Sequence, residues 1–80
     1  MLARVYITLK SGVLDPAGKA VESSLHTLGF PDVTSVRLGK YVEVQLPDGD
    51  PVAARARVEE MCKKLLANTV VETYRVEFAG

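Results

Sequence analysis

Cysteine and histidine occur once each in these 80 residues, as Cys62 and His26. A lone cysteine excludes an internal disulfide framework. Together the two fall short of the several ligands at fixed spacing that a metal site needs. Charge of one sign is missing too: ten acidic residues balance ten basic ones, for a formal net charge of zero. Long-range attraction to nucleic acid or to an anionic membrane therefore has no source in the overall charge. No apolar run approaches the ~20 residues that cross a bilayer, and the first residues lack the charged and apolar regions of an export signal. A single thiol without such a signal predicts the reducing cytoplasm.

What is present is ordinary for a folded chain: 48% hydrophobic and 25% charged residues. The length predicts one domain over residues 1–80. A core of that size rarely supplies more than about 3–5 kcal/mol, so association with other chains is a physical expectation.

The stretch from Lys10 to Ala20 organises the first half. Residues 2–10 alternate, with Val5, Ile7 and Leu9 on one side and Arg4, Tyr6 and Thr8 on the other, which predicts a half-buried strand. Gly12 lets the chain turn away from it. Val13 and Leu14 follow as two apolar residues on a short connector, packed either under the sheet edge or against another chain. Asp15-Pro16 is a helix start: the carboxylate caps an orphan N–H, and proline has no N–H to lose. Ala17, Val21, Ser24, Leu25 and Leu28 form the inner arc of that helix, with Lys19, Glu22, Ser23 and His26 outside. Gly29, Phe30 and Pro31 predict a Schellman ending and a firm stop.

Val33–Leu38 reads as a second strand and Tyr41–Leu46 as a third, joined by a tight turn at Gly39-Lys40. Asp50-Pro51 repeats the helix-start device. Ala54, Val58, Met61, Cys62, Leu65 and Leu66 make the inner arc, and Glu59–Lys63 and Glu60–Lys64 pair outside. Asn68 ends this helix, and Val70–Phe78 is the last strand. The order βαββαβ predicts a ferredoxin-like α+β sandwich, an antiparallel sheet with its first and third strands central and two helices on one face. The other face then carries Arg4, Tyr6, Thr8, Arg37, Tyr41, Glu43, Gln45 and Arg75, polar enough for water and a candidate interface through its tyrosines.

No constellation for catalysis emerges. His26 lies outside, beside Glu22, with no nucleophile or orienting partner in a motif, and Cys62 sits among apolar neighbours as a small hydrophobe. Gly12 and Gly18-Lys19-Ala20 lack the spacing and the Ser or Thr of a phosphate-cradling loop.

Three stretches resemble the PurS family, the small subunit of phosphoribosylformylglycinamidine synthase: Leu9–Gly18, Val36–Glu43, and Met61–Asn68 continuing through Val70-Val71-Glu72 and Tyr74. They span the chain and keep the family's order. Thr69 departs from it, standing where proline commonly follows the asparagine. The resemblance implies a dimeric, or tetrameric, adapter with no chemistry and no cofactor of its own. It would bridge a PurQ-type glutaminase and a PurL-type synthetase and help ammonia pass between them. The complex uses ATP, Mg and glutamine to convert formylglycinamide ribonucleotide to formylglycinamidine ribonucleotide. Expected contact residues are Gly12, Val13, Leu14, Asp15 and Pro16 on the loop, Arg37, Lys40 and Tyr41 on the hairpin, and Asn68, Glu72 and Tyr74 near the last strand. RNA-recognition modules and ACT-type regulatory domains share this element order. Against the first, Glu43 stands where an aromatic is expected and net charge is absent.

Overall fold

A computed structural model describes residues 1–79 as a flat, elongated unit of 49 × 28 × 14 Å. Its elements are β1 (Leu2–Leu9), α1 (Pro16–Thr27), β2 (Gly39–Gln45), α2 (Pro51–Met61), a π-helical turn (Cys62–Leu66) that continues α2, and β3 (Glu72–Ala79). The strands form an antiparallel sheet in the order β2-β1-β3. The architecture is ferredoxin-like α+β.

Alternation along β1 puts Ala3, Val5 and Ile7 on the inner face at 0% exposure. Val42 and Val76 flank Val5, and Lys40 and Tyr74 flank Ile7. Ala54, Val58 and Cys62 of α2 close over this face. Apolar side chains brought together this way supply the driving force for folding, at about 25 cal/mol per Å² removed from water.

Both Asp-Pro signals cap as expected. The Asp15 carboxylate accepts from the Gly18 N–H at 2.9 Å, the Asp50 carboxylate accepts from the Val52 N–H at 3.1 Å, and proline opens each helix. At the end of α1 the Phe30 N–H donates to Leu25 (3.0 Å) and the Gly29 N–H to His26 (3.2 Å), the double bond of a Schellman motif.

Three expectations are overturned. Residues 33–38 are not a strand of this sheet, and Gly39-Lys40 is not a turn. The chain runs through these residues into β2, with Lys40 and Tyr41 inside the strand, so β2 is an edge rather than central. Alternation marks residues that want a strand partner but does not say which chain supplies it.

Because that hairpin is missing, α1 is carried away from the sheet and makes only marginal contact with the other elements. Gly18 is its one buried residue, and its intended inner arc stays open, with Val21 37% and Leu28 72% exposed. The helix that covers the inner face is α2.

In α2 the inner arc shifts after Cys62. The Ala67 N–H donates to the Cys62 carbonyl at 2.9 Å, five residues back, so this turn is wider than an α-turn. The change of phase buries Ala67 and leaves Leu65 83% exposed, against the regular spacing that placed Leu65 inside.

Candidate subunit-contact surfaces

One end of the sheet gathers most of the residues expected to make contacts. Thr8 of β1 pairs with Gly39, Leu9 pairs with Glu72, and the Lys10 N–H donates to the Val71 carbonyl at 2.8 Å. The loop that follows, the start of β2 and the start of β3 therefore all meet there. Gly12 makes the exit turn with a φ of 84°, and the Val13 N–H closes it on the Lys10 carbonyl at 3.1 Å. Leu14 is 74% exposed and Val13 half-buried, so the loop offers one bare leucine rather than a wedge under the sheet.

Asp15 ties the loop to the connector before β2. One carboxylate oxygen caps Gly18, and the other accepts from the Leu38 N–H at 3.1 Å. These bonds, first from Gly18 and then from Leu38, hold its pKa below the ordinary value, with the Arg37 charge adding a little and desolvation opposing. The connector passes so close to α1 that a Cβ on Gly18 would lie 2.6 Å from the Val36 carbonyl oxygen. Leu9–Asp15 and Ser35–Arg37 line a hollow of about 330 Å³, with Lys19 and Glu22 also lining it. Gly12, Val13, Leu14, Asp15, Pro16 and Arg37 thus share one place.

Lys40, Asn68 and Glu72 form a second group at the same end. The Lys40 ammonium donates to the Leu66 carbonyl at 3.0 Å, satisfying the end of the π-turn, and lies 3.6 Å from the Glu72 carboxylate. Glu72 also accepts from the Asn68 N–H at 2.7 Å, and the Asn68 side chain accepts from the Val70 N–H at 3.2 Å. These two bonds tie together the corner in which Thr69 lies. Nothing in the sequence signals the Leu66 carbonyl, because a backbone acceptor carries no residue preference.

Tyr74 and Tyr41 separate. Tyr74 lies on the inner face beside Ile7, half-buried against the core. Tyr41 lies on the opposite, open face. Its ring centroid is 5.2 Å from that of Tyr6, and its hydroxyl donates to Glu43 at 2.9 Å. Desolvation first, then the Glu43 carboxylate, raise its pKa. The Arg75 guanidinium lies 4.6 Å from the Tyr6 centroid and pairs with Glu77 at 3.3 Å. Arg37, expected on this face, belongs to the connector instead.

His26 donates from Nε2 to the Val33 carbonyl at 2.8 Å, fastening the turn after α1, whereas Glu22, its expected neighbour, pairs with Lys19. Burial, with Glu59 nearby, pushes the Cys62 thiol up, away from the reactive thiolate. Among the described residues no cluster of His, Cys, Asp and Glu could hold a metal, and no helix is long and apolar enough to cross a membrane.

Residues 2–80 match the family model described as PurS, phosphoribosylformylglycinamidine (FGAM) synthase. The PurS subunit of that synthase from Synechocystis is 50% identical over 96% of this chain and 77% of its own length. The Bacillus subtilis subunit is 49% identical over 92% of this chain and 87% of its own. A crystal form of B. subtilis PurS superposes with a TM-score of 0.85 at 47% identity, covering 95% of this chain and 94% of that one. A chain of the PurLQS structure from Thermotoga maritima does so with a TM-score of 0.82 at 32% identity, covering 96% of each. The chain therefore belongs to the PurS family, subunits of phosphoribosylformylglycinamidine synthase in purine biosynthesis.

Proposed function

We propose that this chain is the non-catalytic adapter of its phosphoribosylformylglycinamidine synthase, joining a PurQ-type glutaminase to a PurL-type synthetase. The observation that carries this reading is the likeness, over 96% of the chain, to a chain of the T. maritima PurLQS structure. ATP, Mg and glutamine are then used by the larger subunits, in the cytoplasm, and none is held by this chain. Ammonia released into neutral water is protonated and lost, so a docked subunit that excludes water from the join has a physical purpose. The Gly12–Pro16 loop with Arg37, and the Lys40–Asn68–Glu72 corner, stand at one end of the sheet as a shared contact surface.

The working unit is a dimer completed by exchange. A ferredoxin-like layer needs a second helix beside α2 and a fourth strand beside β2. Among the described residues the sheet has three strands and α2 alone covers its inner face, while residues 33–38 pair with no strand and α1 is tied to them rather than packed on the sheet. Arg57, Met61 and Leu65 line an apolar groove of about 350 Å³ next to the uncovered side. Two copies laid antiparallel about Gly39 would pair residues 33–38 of each with 40–45 of the other. Each α1 then brings Val21, Leu25 and Leu28 to the open half of the other's core.

Co-elution of the purified chain with both larger subunits, in glutamine and ADP, tests the adapter role. It should be accompanied by a gain in glutamine-dependent product. Full glutamine-dependent turnover by the two larger subunits without this chain would overturn it.

A further inference from the structure

The hollow beside the Gly12 turn carries a charge imbalance that the chain as a whole, at zero net charge, does not. Three cations line it, Lys10, Lys19 and Arg37, with two carboxylates, Asp15 and Glu22. Both carboxylates are committed within the chain. Asp15 gives one oxygen to the Gly18 N–H and the other to the Leu38 N–H, and Glu22 pairs with Lys19 at 3.4 Å. Lys10 and Arg37 are left over: both are exposed, and neither makes an ion pair among the described residues. Leu14 lines the same hollow and is 74% exposed. The lip is open at Gly12, where an added Cβ would meet nothing within 4 Å.

We propose that this hollow seats an acidic segment of one of the two larger subunits, a segment that brings a carboxylate to Lys10 and Arg37 and an apolar side chain to Leu14. The inference rests on the adapter reading and adds to it the chemistry that the partner must carry. A guanidinium can hold a carboxylate through two parallel N–H bonds, which fixes direction as well as charge. Opposite charges across an interface also steer the encounter and set its register. A free small anion answers the observations less well, because it satisfies the cations and leaves Leu14 in water. At about 330 Å³ the hollow lies at the small end of sites that enclose a whole ligand, ~300–1,000 Å³. That is room for side chains reaching in from a docked surface.

The seat is salt-sensitive and local. Exposed charges lose most of their attraction beyond a Debye length, about 10 Å at 0.1 M salt. The two unpaired cations therefore act on what enters this hollow, and a change of charge elsewhere on the chain should count for little.

Titration of the labelled full chain with each purified larger subunit, in glutamine and ADP at about 50 and about 300 mM salt, tests the proposal. Affinity for one of them should fall at least tenfold from low to high salt. Arg37→Glu should weaken that binding at least tenfold at low salt. Lys63→Glu makes the same change of charge on the π-turn after α2 and should leave it within twofold. Both residues are exposed and make no ion pair among the described residues, so neither variant removes a tie of the fold. Leu14→Ser should weaken binding equally at both salt concentrations. Carbodiimide should couple Lys10 to an Asp or Glu of that subunit, and Lys10→Arg should keep the affinity and lose the product. Affinity unmoved by salt, equal effects of Arg37→Glu and Lys63→Glu, or no coupled product at Lys10 would overturn the seat and leave the adapter reading in place. No binding of the wild type to either subunit would defeat the adapter reading itself, and the seat with it.

Discussion

The Asp15 carboxylate holds Gly18 and Leu38 at once, joining segments 23 residues apart through two backbone N–H groups. It therefore sets the angle at which the arm formed by α1 and the connector leaves the sheet. Asp15→Ala removes a cap and orphans a second donor. Loss of an Asp cap costs about 0.5–2 kcal/mol. Urea unfolding at fixed protein concentration should show a loss within that range, with Asp15→Asn falling between the two.

The same residue predicts an acid dependence. Its pKa is depressed in the folded chain, so its stabilisation is complete above the unfolded value of about 3.9 and fades as pH falls through the lower folded value. Between pH 7 and 5 the wild type and Asp15→Asn should keep a constant stability difference. Below about pH 4 the difference should shrink as the wild type loses its advantage. Parallel acid-unfolding curves would rule out this role.

Leu28 and Val21 test the exchanged arm. Both are solvent-facing within one chain, and surface substitutions of that kind change stability by about 0.5 kcal/mol or less. If α1 packs on a second copy, Val21→Glu or Leu28→Lys should instead convert the dimer to monomer in light scattering. An unaltered mass would remove α1 from the interface.

The phase shift of the π-turn has a clean contrast. Val58 is at 0% exposure, and truncating it to alanine should cost about 2 kcal/mol through lost burial and a residual cavity. Leu65→Ala, at 83% exposure, should leave unfolding of a single chain unchanged while weakening the dimer.

At the Lys40 corner, Lys40→Met removes an exposed pair and one bond to the Leu66 carbonyl. The stability loss should stay under about 1 kcal/mol. Lowered glutamine-dependent turnover in the assembled complex, with amide exchange at Ala67 and Asn68 unchanged, would mark it as a contact residue. Normal turnover would leave it a structural tie.

Local chemistry was easy to read from the residues. The Asp15-Pro16 and Asp50-Pro51 caps, the Gly29-Phe30 ending and the alternation of β1 rest on neighbours in sequence, and all stand in the structure. Tyr6 beside Tyr41 followed from the same alternation. What alternation could not carry was partner choice. Val33–Leu38 and Tyr41–Leu46 look like the two arms of a hairpin, and a Gly-Lys pair is an adequate turn, but a straight path leaves the same side chains free for another copy. Leu65 was misplaced because a regular helical period has no symptom of a π-turn. In the candidate site, Gly12 to Pro16 and Arg37 were legible as residues, whereas their meeting through Leu38 depends on a path taken far along the chain.

The uncovered stripe of α1 also bears on how the protein reaches its final state. Caps and sheet ladder join residues of one chain, whereas an arm exchanged as proposed above finds its seat only by collision. On that proposal the last step of refolding is second order, slowing on dilution, and dimers trade partners only after the arms let go.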